Sequence, residues 1–209
     1  MSVRERIRKI KHLQNKYFIC VLENPKDAKN IGSAIRNISA FGVQKLYVVG
    51  GADMVKDFET SRKSKHLSGL SVGANKWVFV KNFATTAECI AHLRKNLYTI
   101  AVTSSHTKGK NNIDLYEGTF TQKRLAVWFG NEARGISDEA VKASDICIQI
   151  PMGGIVESLN LGTSTGIILS FIGYQRLKFI FENNKAKFKP QGIAKLKMRS
   201  WKDFFSLRE

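Results

Sequence analysis

Short apolar runs, each about one strand long, alternate with helical segments through the middle of this 209-residue chain, and that alternation narrows the fold more than any other feature. The runs are YFICVLE (17–23), KLYVVG (45–50), KWVFV (76–80), LYTIAVT (97–103), LAVWFG (125–130) and DICIQIP (145–151). Their apolar residues are consecutive rather than alternate, so each strand is covered on both faces. Helices are predicted over 30–41, ending at Gly42, and over 85–95, 137–143 and about 160–181. The polar, glycine-rich stretch 51–76 reads as a short helix plus loops. Doubly covered strands alternating with helices predict an α/β protein, a parallel sheet with helices on both faces. Such sheets place their sites beyond the C-terminal ends of the strands.

The charge is uneven. Lys and Arg total 34 against 17 Asp and Glu, a net +17. Residues 1–16 carry six basic side chains and one acid, and residues 174–209 carry ten and three. The chain therefore divides into a basic N-terminal helix (1–16), a body (17–182) and a basic C-terminal extension (183–209). In the first arm Val3, Ile7, Ile10 and Leu13 recur at helical spacing, with Arg4, Arg8 and Lys11 on other faces. The last arm interleaves lysine and arginine with Phe188, Trp201, Phe204 and Phe205. Each arm reads either as a surface helix packed on the body or as a docking segment for nucleic-acid phosphates and bases. An excess of this size points to a polyanionic partner.

Several classes fall away. No run of roughly 18 apolar residues is present to span a membrane, and the charged start MSVRERIRKIKHLQ does not fit a signal peptide, so a cytoplasmic protein is expected. Cys20, Cys89 and Cys147 are scattered among apolar neighbours, as reduced core cysteines are, and the histidines do not cluster into a zinc-site spacing. Neither G-x-x-x-x-G-K-[ST] nor G-x-G-x-x-G occurs, which argues against a nucleoside triphosphatase, a dinucleotide enzyme and the common Rossmann-type methyltransferase.

Three segments that follow predicted strands carry the concentrated chemistry. The first holds N-x-G-x-x-x-R as Asn30, Gly32 and Arg36. The second holds G-N-E-x-x-G as Gly130, Asn131, Glu132 and Gly135. The third holds I-P-M-x-G-x-x-x-S-L-N as Ile150, Pro151, Met152, Gly154, Ser158, Leu159 and Asn160. In this order they resemble the SpoU (TrmH) family of RNA ribose 2′-O-methyltransferases in the SPOUT superfamily, over roughly residues 15–180. SVGANKW (71–77) is a looser match to the tRNA-acting branch.

The resemblance implies a C-terminal deep trefoil knot, a homodimer with the site built across the interface, and S-adenosylmethionine held bent in the knotted loops. It also implies transfer to a ribose 2′-hydroxyl of RNA. A D-loop guanosine of tRNA is the first reading, because no separate RNA-binding domain precedes the body, and rRNA is the second. A non-catalytic RNA binder with the same fold is the alternative from another class. The catalytic set carried over is Arg36, Asn30, Glu132, Ser158 and Asn160. The cofactor set is Thr103, Gly130, Ile150, Met152, Gly154 and Leu159, with Gly153 beside them.

Residue chemistry gives each of these a plainer reading as well. The glycines serve either close backbone approach to a ligand or plain turns. Arg36 taken alone is a solvated helix residue; within the motif it grips a phosphate and stabilises a developing alkoxide, since guanidinium stays protonated far above neutral pH. Asn30 is expected to cap its helix and to orient Arg36 or the ribose. Glu132 is expected to anchor Arg36 or to brace its loop. Ser158 is expected to bind the target ribose or phosphate, and Asn160 to cap the last helix or hold the loop. Arg134 reaches either RNA or an acidic neighbour. Gly162, Ser164, Gly166 and Ser170 in the last helix suit a dimer seam or intrachain packing.

Overall fold

Alternation of the apolar runs with helices builds one parallel sheet. The structure, a computed structural model, describes residues 14–51, 58–107, 109 and 111–183. The strands are β1 (Asn15–Glu23), β2 (Val43–Val49), β3 (Phe79–Phe83), β4 (Thr99–Thr103), β5 (Asn112–Asp114), β6 (Leu125–Phe129) and β7 (Ile146–Gln149). They lie in the order β3-β2-β1-β6-β4-β7-β5, each pair parallel. The helices are α1 (Ala28–Ala40), α2 (Phe58–Lys63), α3 (Lys65–Ser71), α4 (Thr86–Lys95), α5 (Asp138–Lys142) and α6 (Leu161–Asn183), with a 3₁₀ turn at Ala74–Lys76. No helix among the described residues is long and apolar enough to cross a membrane.

β1 shows why the runs read as continuously apolar. Phe18, Cys20 and Leu22 point into one core with Ile31, Ile35 and Ile38 of α1, Leu67 of α3 and Ile168 and Ile172 of α6. Ile19 and Val21 point into the other, with Cys89 and Leu93 of α4 and Ala140 of α5. Both faces are dry, so period-two alternation disappears. The three cysteines are buried, and burial pushes the Cys89 thiol up to about 12.

Three features differ from the sequence expectation. The third strand is Phe79–Phe83, not 76–80. Trp77 closes the 3₁₀ turn, and the strand is an outer one that tolerates Lys81 and Asn82, so apolarity misplaces it. β5, NID, is too short and polar to register. The described part of 51–76 forms two helices and a turn. There the fully buried Asn75 donates through Nδ2 to the Ser61 carbonyl at 2.8 Å, and its backbone N–H donates to Ser71 Oγ at 3.2 Å. The helical reading of the N-terminal arm and the extension from residue 184 lie outside the described residues.

α6 packs lengthwise on α1 through its small residues. A Cβ at Gly162 would lie 2.9 Å from Ser33 Cβ, and one at Gly173 3.1 Å from the Phe41 carbonyl oxygen. Asn37 Nδ2 donates to the Gly162 carbonyl at 2.8 Å and to Thr165 Oγ1 at 3.0 Å. Gly162 and Gly166 therefore serve intrachain packing, one of the two readings of that stripe. The stripe of α1 that meets α6 is Asn30, Ser33 and Asn37, at helical i, i+3, i+7 spacing.

Candidate active site

The strand order gathers the three motifs. β1, β6, β4 and β7 are contiguous in the sheet, so the segments leaving their C-terminal ends meet above its middle. The sheet reverses its winding between β1 and β6, the place where open α/β sheets take ligands. Those segments are 24–30, 130–136, 103–106 and 150–160.

The first segment enters α1. Asp27, not Asn30, is the cap: its carboxylate accepts from the Lys29 N–H at 2.8 Å. Asn30 sits in the first turn, which frees its side chain. Gly32 is required by packing, because a Cβ there would meet Leu70 Cβ at 2.5 Å. Arg36 is exposed, and it has no hydrogen bond or ion pair with any described residue.

The second segment is a closed turn. Asn131 and Gly135 exchange both backbone hydrogen bonds at 2.8 Å. Asn131 Oδ1 accepts from Ala133 N–H at 2.9 Å and Arg134 N–H at 3.0 Å, and its Nδ2 donates to the Asn24 carbonyl. Gly135 has φ +69°, which favours glycine. Gly130 is pressed against the other leg of the turn, where a Cβ would lie 2.3 Å from Ile136 N. That backbone crossing leaves no room for a side chain at Gly130. Gly153 and Gly154 have nothing within 4 Å of a Cβ.

Glu23, at the end of β1, was not singled out from the sequence. It is 2% exposed and accepts from Thr86 Oγ1 at 2.6 Å, Ser137 Oγ at 2.7 Å and Ser137 N–H at 3.1 Å. It fastens the exit of the 131–135 turn to β1 and α4. The available signal was an acid ending an otherwise apolar run.

A hydrogen-bonded chain joins all three motifs. Lys26 N–H donates to Glu132 Oε2 at 3.4 Å, and Asn30 Nδ2 donates to Glu132 Oε1 at 2.8 Å. Asn160 Nδ2 donates to Asn30 Oδ1 at 2.9 Å, and Asn160 Oδ1 accepts from Thr163 N–H at 3.2 Å. Asn160 thus caps α6 and holds Asn30 at once. Glu132 braces its own turn against α1 and makes no bond to Arg36.

Beside this chain lies a cavity of about 330 Å³. Of the expected residues it is lined by Thr103, Gly130, Glu132, Ile150, Met152, Ser158 and Leu159. Asn30, Arg36, Asn160 and Gly154 are not in its lining. Arg134 is, and it forms no ion pair with a described residue. Phe129, Ile148, Leu161 and Ile168 add apolar wall, and Ser104, Glu157 and Ser164 add polar rim. Thr103 Oγ1 donates to the Trp128 carbonyl at 3.1 Å, fixing the β4 end against β6. The lining fits S-adenosylmethionine chemically: apolar walls for an adenine ring, hydroxyls for its ribose, and carboxylates for cationic groups. A second cavity of about 510 Å³ adjoins the same turn, sharing Asn131, Arg134, Gly135 and Ile136, with Lys26 on its wall.

Known proteins bear on this geometry. A tRNA (guanosine(18)-2′-O)-methyltransferase of Aquifex aeolicus is 29% identical over 79% of this chain and 72% of its own. The enzyme of the same name from Thermus thermophilus is 30% identical over 84% of each chain. The crystal structure of the A. aeolicus TrmH/SpoU tRNA modifying enzyme superposes with a TM-score of 0.67 at 25% identity, covering 98% of this chain and 93% of that one. The model of the SpoU rRNA Methylase family matches residues 17–170, the span from β1 into α6 that carries all three motifs, and the chain belongs to that family.

Proposed function

We propose that this protein transfers a methyl group from S-adenosylmethionine to the ribose 2′-oxygen of a guanosine in the D-loop of tRNA. The observation that carries the reading is the chain Glu132–Asn30–Asn160, which ties three separate motifs into one wall beside an apolar-sided cavity. The tRNA assignment rests on the printed activity of the relatives that span most of this chain; the rRNA reading rests on the family description.

Thr103, Ile150, Met152, Leu159 and the Gly130 backbone would hold the donor. Bound there, S-adenosylmethionine supplies an electrophilic methyl group whose leaving group is a neutral thioether. The chain's own task is to place the acceptor hydroxyl in line and to stabilise the charge that develops on its oxygen. Arg36 has its guanidinium in solvent and unclaimed by any described carboxylate. It holds the phosphate beside the target ribose in a two-point grip and faces the developing alkoxide; it is not the base, because it does not deprotonate. Ser158, exposed on the cavity wall, hydrogen-bonds the ribose. Asn30, Glu132 and Asn160 act as positioning residues that fix the first turn of α1, from which Arg36 projects two turns later. Gly153 and Gly154, with open space where a side chain would stand, let ligand approach the backbone.

The same reading extends to the rest of the molecule. We infer a trefoil knot built from the 150–160 segment and the 130–136 turn, supported by the cavity that both line and by the Glu132–Asn30–Asn160 bonds that tie them together. We infer a homodimer, supported by the fully exposed Ile155 and the exposed Val156 at the tip of the third motif. The basic segments 1–16 and 183–209 flank the 17–182 body as RNA-binding arms, in a cytoplasmic enzyme.

The test is transfer of isotope-labelled methyl onto unmodified tRNA and rRNA, followed by nuclease digestion and mapping. The expected product is 2′-O-methylguanosine in the tRNA D-loop. Label confined to rRNA, or carried on a base, would overturn the assignment.

A further inference from the structure

Three lysines and a histidine converge on the outer side of the sheet, away from the site described above. Lys45 stands on β2, Lys81 on β3, and His92 and Lys95 on the second half of α4. The parallel register sets Lys45 against Phe79 and Tyr47 against Lys81, so these side chains share the face that α4 covers. Lys81 Nζ lies 3.4 Å from His92 Nδ1 and 4.8 Å from the Phe83 ring centre. On the far side of the imidazole, His92 Nε2 is 3.3 Å from the Tyr47 hydroxyl.

These contacts define the charge state. An ammonium only donates, so Nδ1 accepts and the ring is neutral, with its proton on Nε2. Burial, and then the charges of Lys81, Lys45 and Lys95, hold the His92 pKa below 6.5. All three lysines are thus close enough to act on one ring. The buried carboxylate on this face, Glu23, is held at the N-terminal end of α4 by Thr86 and Ser137. The ion pairs among the described residues are Arg62–Glu59 and Arg94–Asp145, and Asp145 is taken up by Arg94 and the Ile100 N–H. Glu88, the acid on α4, is engaged at the opposite end of the helix, accepting from the Ala84 N–H at 3.1 Å.

Lys45 and Lys81 are half-buried and Lys95 is exposed, and like charges gathered at one place without a bonded carboxylate favour an anion there. Lys81 has one described acceptor, His92, for three ammonium protons. The arrangement is complementary to an anion delivered from outside. Lys45 is four residues before the end of β2, which puts it about 13 Å below the strand ends. β3 is two strands away from β1. The cluster is therefore a separate place from the methyl-transfer site.

We propose that Lys45, Lys81 and Lys95 form a second docking site that takes the sugar–phosphate backbone of the RNA substrate at a point distant from the methylated ribose. The proposal rests on the tRNA reading above. It adds that the RNA is held by the body of the enzyme at the β2–β3–α4 edge, besides the terminal arms.

The test uses the full chain with all three lysines changed, Lys45→Gln, Lys81→Gln and Lys95→Gln, and fluorescence anisotropy of labelled unmodified tRNA across a salt series. The expected result is a Kd raised about 10-fold, with the slope of log K against log salt shallower by roughly 2–3, close to one unit per lost phosphate contact. The single-turnover methylation rate at saturating tRNA stays within about twofold, and thermal stability stays level or rises as the repulsion is removed. An unchanged Kd and salt slope overturns the docking site, including the case where Tm falls and the lysines prove to be packing groups. An acidic protein that competes with tRNA on wild type but not on the triple variant, while the tRNA Kd is unmoved by the variant, assigns the patch to a protein partner and likewise overturns it. Failure of wild-type enzyme to bind or methylate tRNA is a separate result, which removes the substrate reading itself.

Discussion

Asn30 and Glu132, 102 residues apart in sequence, share a 2.8 Å hydrogen bond in which the amide donates to the carboxylate. The other end of the Asn30 amide accepts from Asn160, so one asparagine joins the loops after β1, β6 and β7. Glu132→Ala removes the acceptor of both the Asn30 amide and the Lys26 N–H. A displacement of a reacting group by about 1 Å costs on the order of 10²-fold in rate. The expected outcome is a 10- to 100-fold fall in single-turnover methyl transfer, with a loss of stability near 1 kcal/mol, typical of one hydrogen bond. Rapid-quench transfer together with denaturant unfolding checks both. A rate unchanged within twofold would reduce the hydrogen-bonded chain to a structural brace.

Gly130→Ala separates packing from ligand approach. The new methyl group would sit 2.3 Å from the backbone of Gly135 and Ile136, atoms that no rotamer change can move aside. Overpacking costs about 1–3 kcal/mol, and a clash with backbone puts this case at the upper end, a fall in Tm of roughly 6–12 °C for a domain of this size. Gly154→Ala, with open space around its Cβ, is expected to leave Tm within a degree. If donor affinity measured by isothermal titration falls for Gly154→Ala, the glycine serves the ligand; if Tm falls instead, its surroundings are packed and not open.

Stability should depend on pH through two groups. His92 titrates below 6.5 in the folded chain because of burial and then of neighbouring lysines. The unfolded chain therefore binds the proton first, and stability is full above about pH 6.5 and declines as pH falls below it. At Asp145, burial works to raise the carboxyl, but the Arg94 hydrogen bonds, the Ile100 N–H and the Arg94 charge outweigh it, leaving a pKa below 3.8. That contribution is present above 3.8 and is lost as pH falls through the lowered folded value. Thermal scans from pH 5 to 7.5 should show a decline that His92→Gln flattens. A variant that keeps the wild-type slope would remove His92 as its source.

The fold was legible where burial is uniform. β1, β2, β4, β6 and β7 lie within a few residues of their apolar runs because both faces are dry. β3 was displaced because an outer strand accepts Lys81 and Asn82, and β5 was missed because three residues carry no periodicity. The motif residues were legible as chemistry, but not as contacts. Asn30 read as a cap because asparagine favours that position; the structure gives the cap to Asp27 and turns Asn30 toward Asn160. Gly130 reads as either a ligand-facing glycine or a plain turn; the structure packs it against Ile136 and also sets it in the cavity wall. The role of Glu23 is not legible in sequence because its partners, Thr86 and Ser137, are far away along the chain, and only the fold brings their hydroxyls to one carboxylate.

The central claim is that donor binding and acceptor activation belong to different residues, with the cavity holding one and Arg36 acting on the other. The most direct measurement is single-turnover methyl transfer to tRNA by Arg36→Ala, alongside its affinity for S-adenosylmethionine from isothermal titration. The account predicts a rate lowered at least about 10³-fold, as for loss of a principal charge-stabilising group, with donor affinity within twofold of wild type. A variant that transfers at a near wild-type rate, or that loses the donor instead, would contradict it.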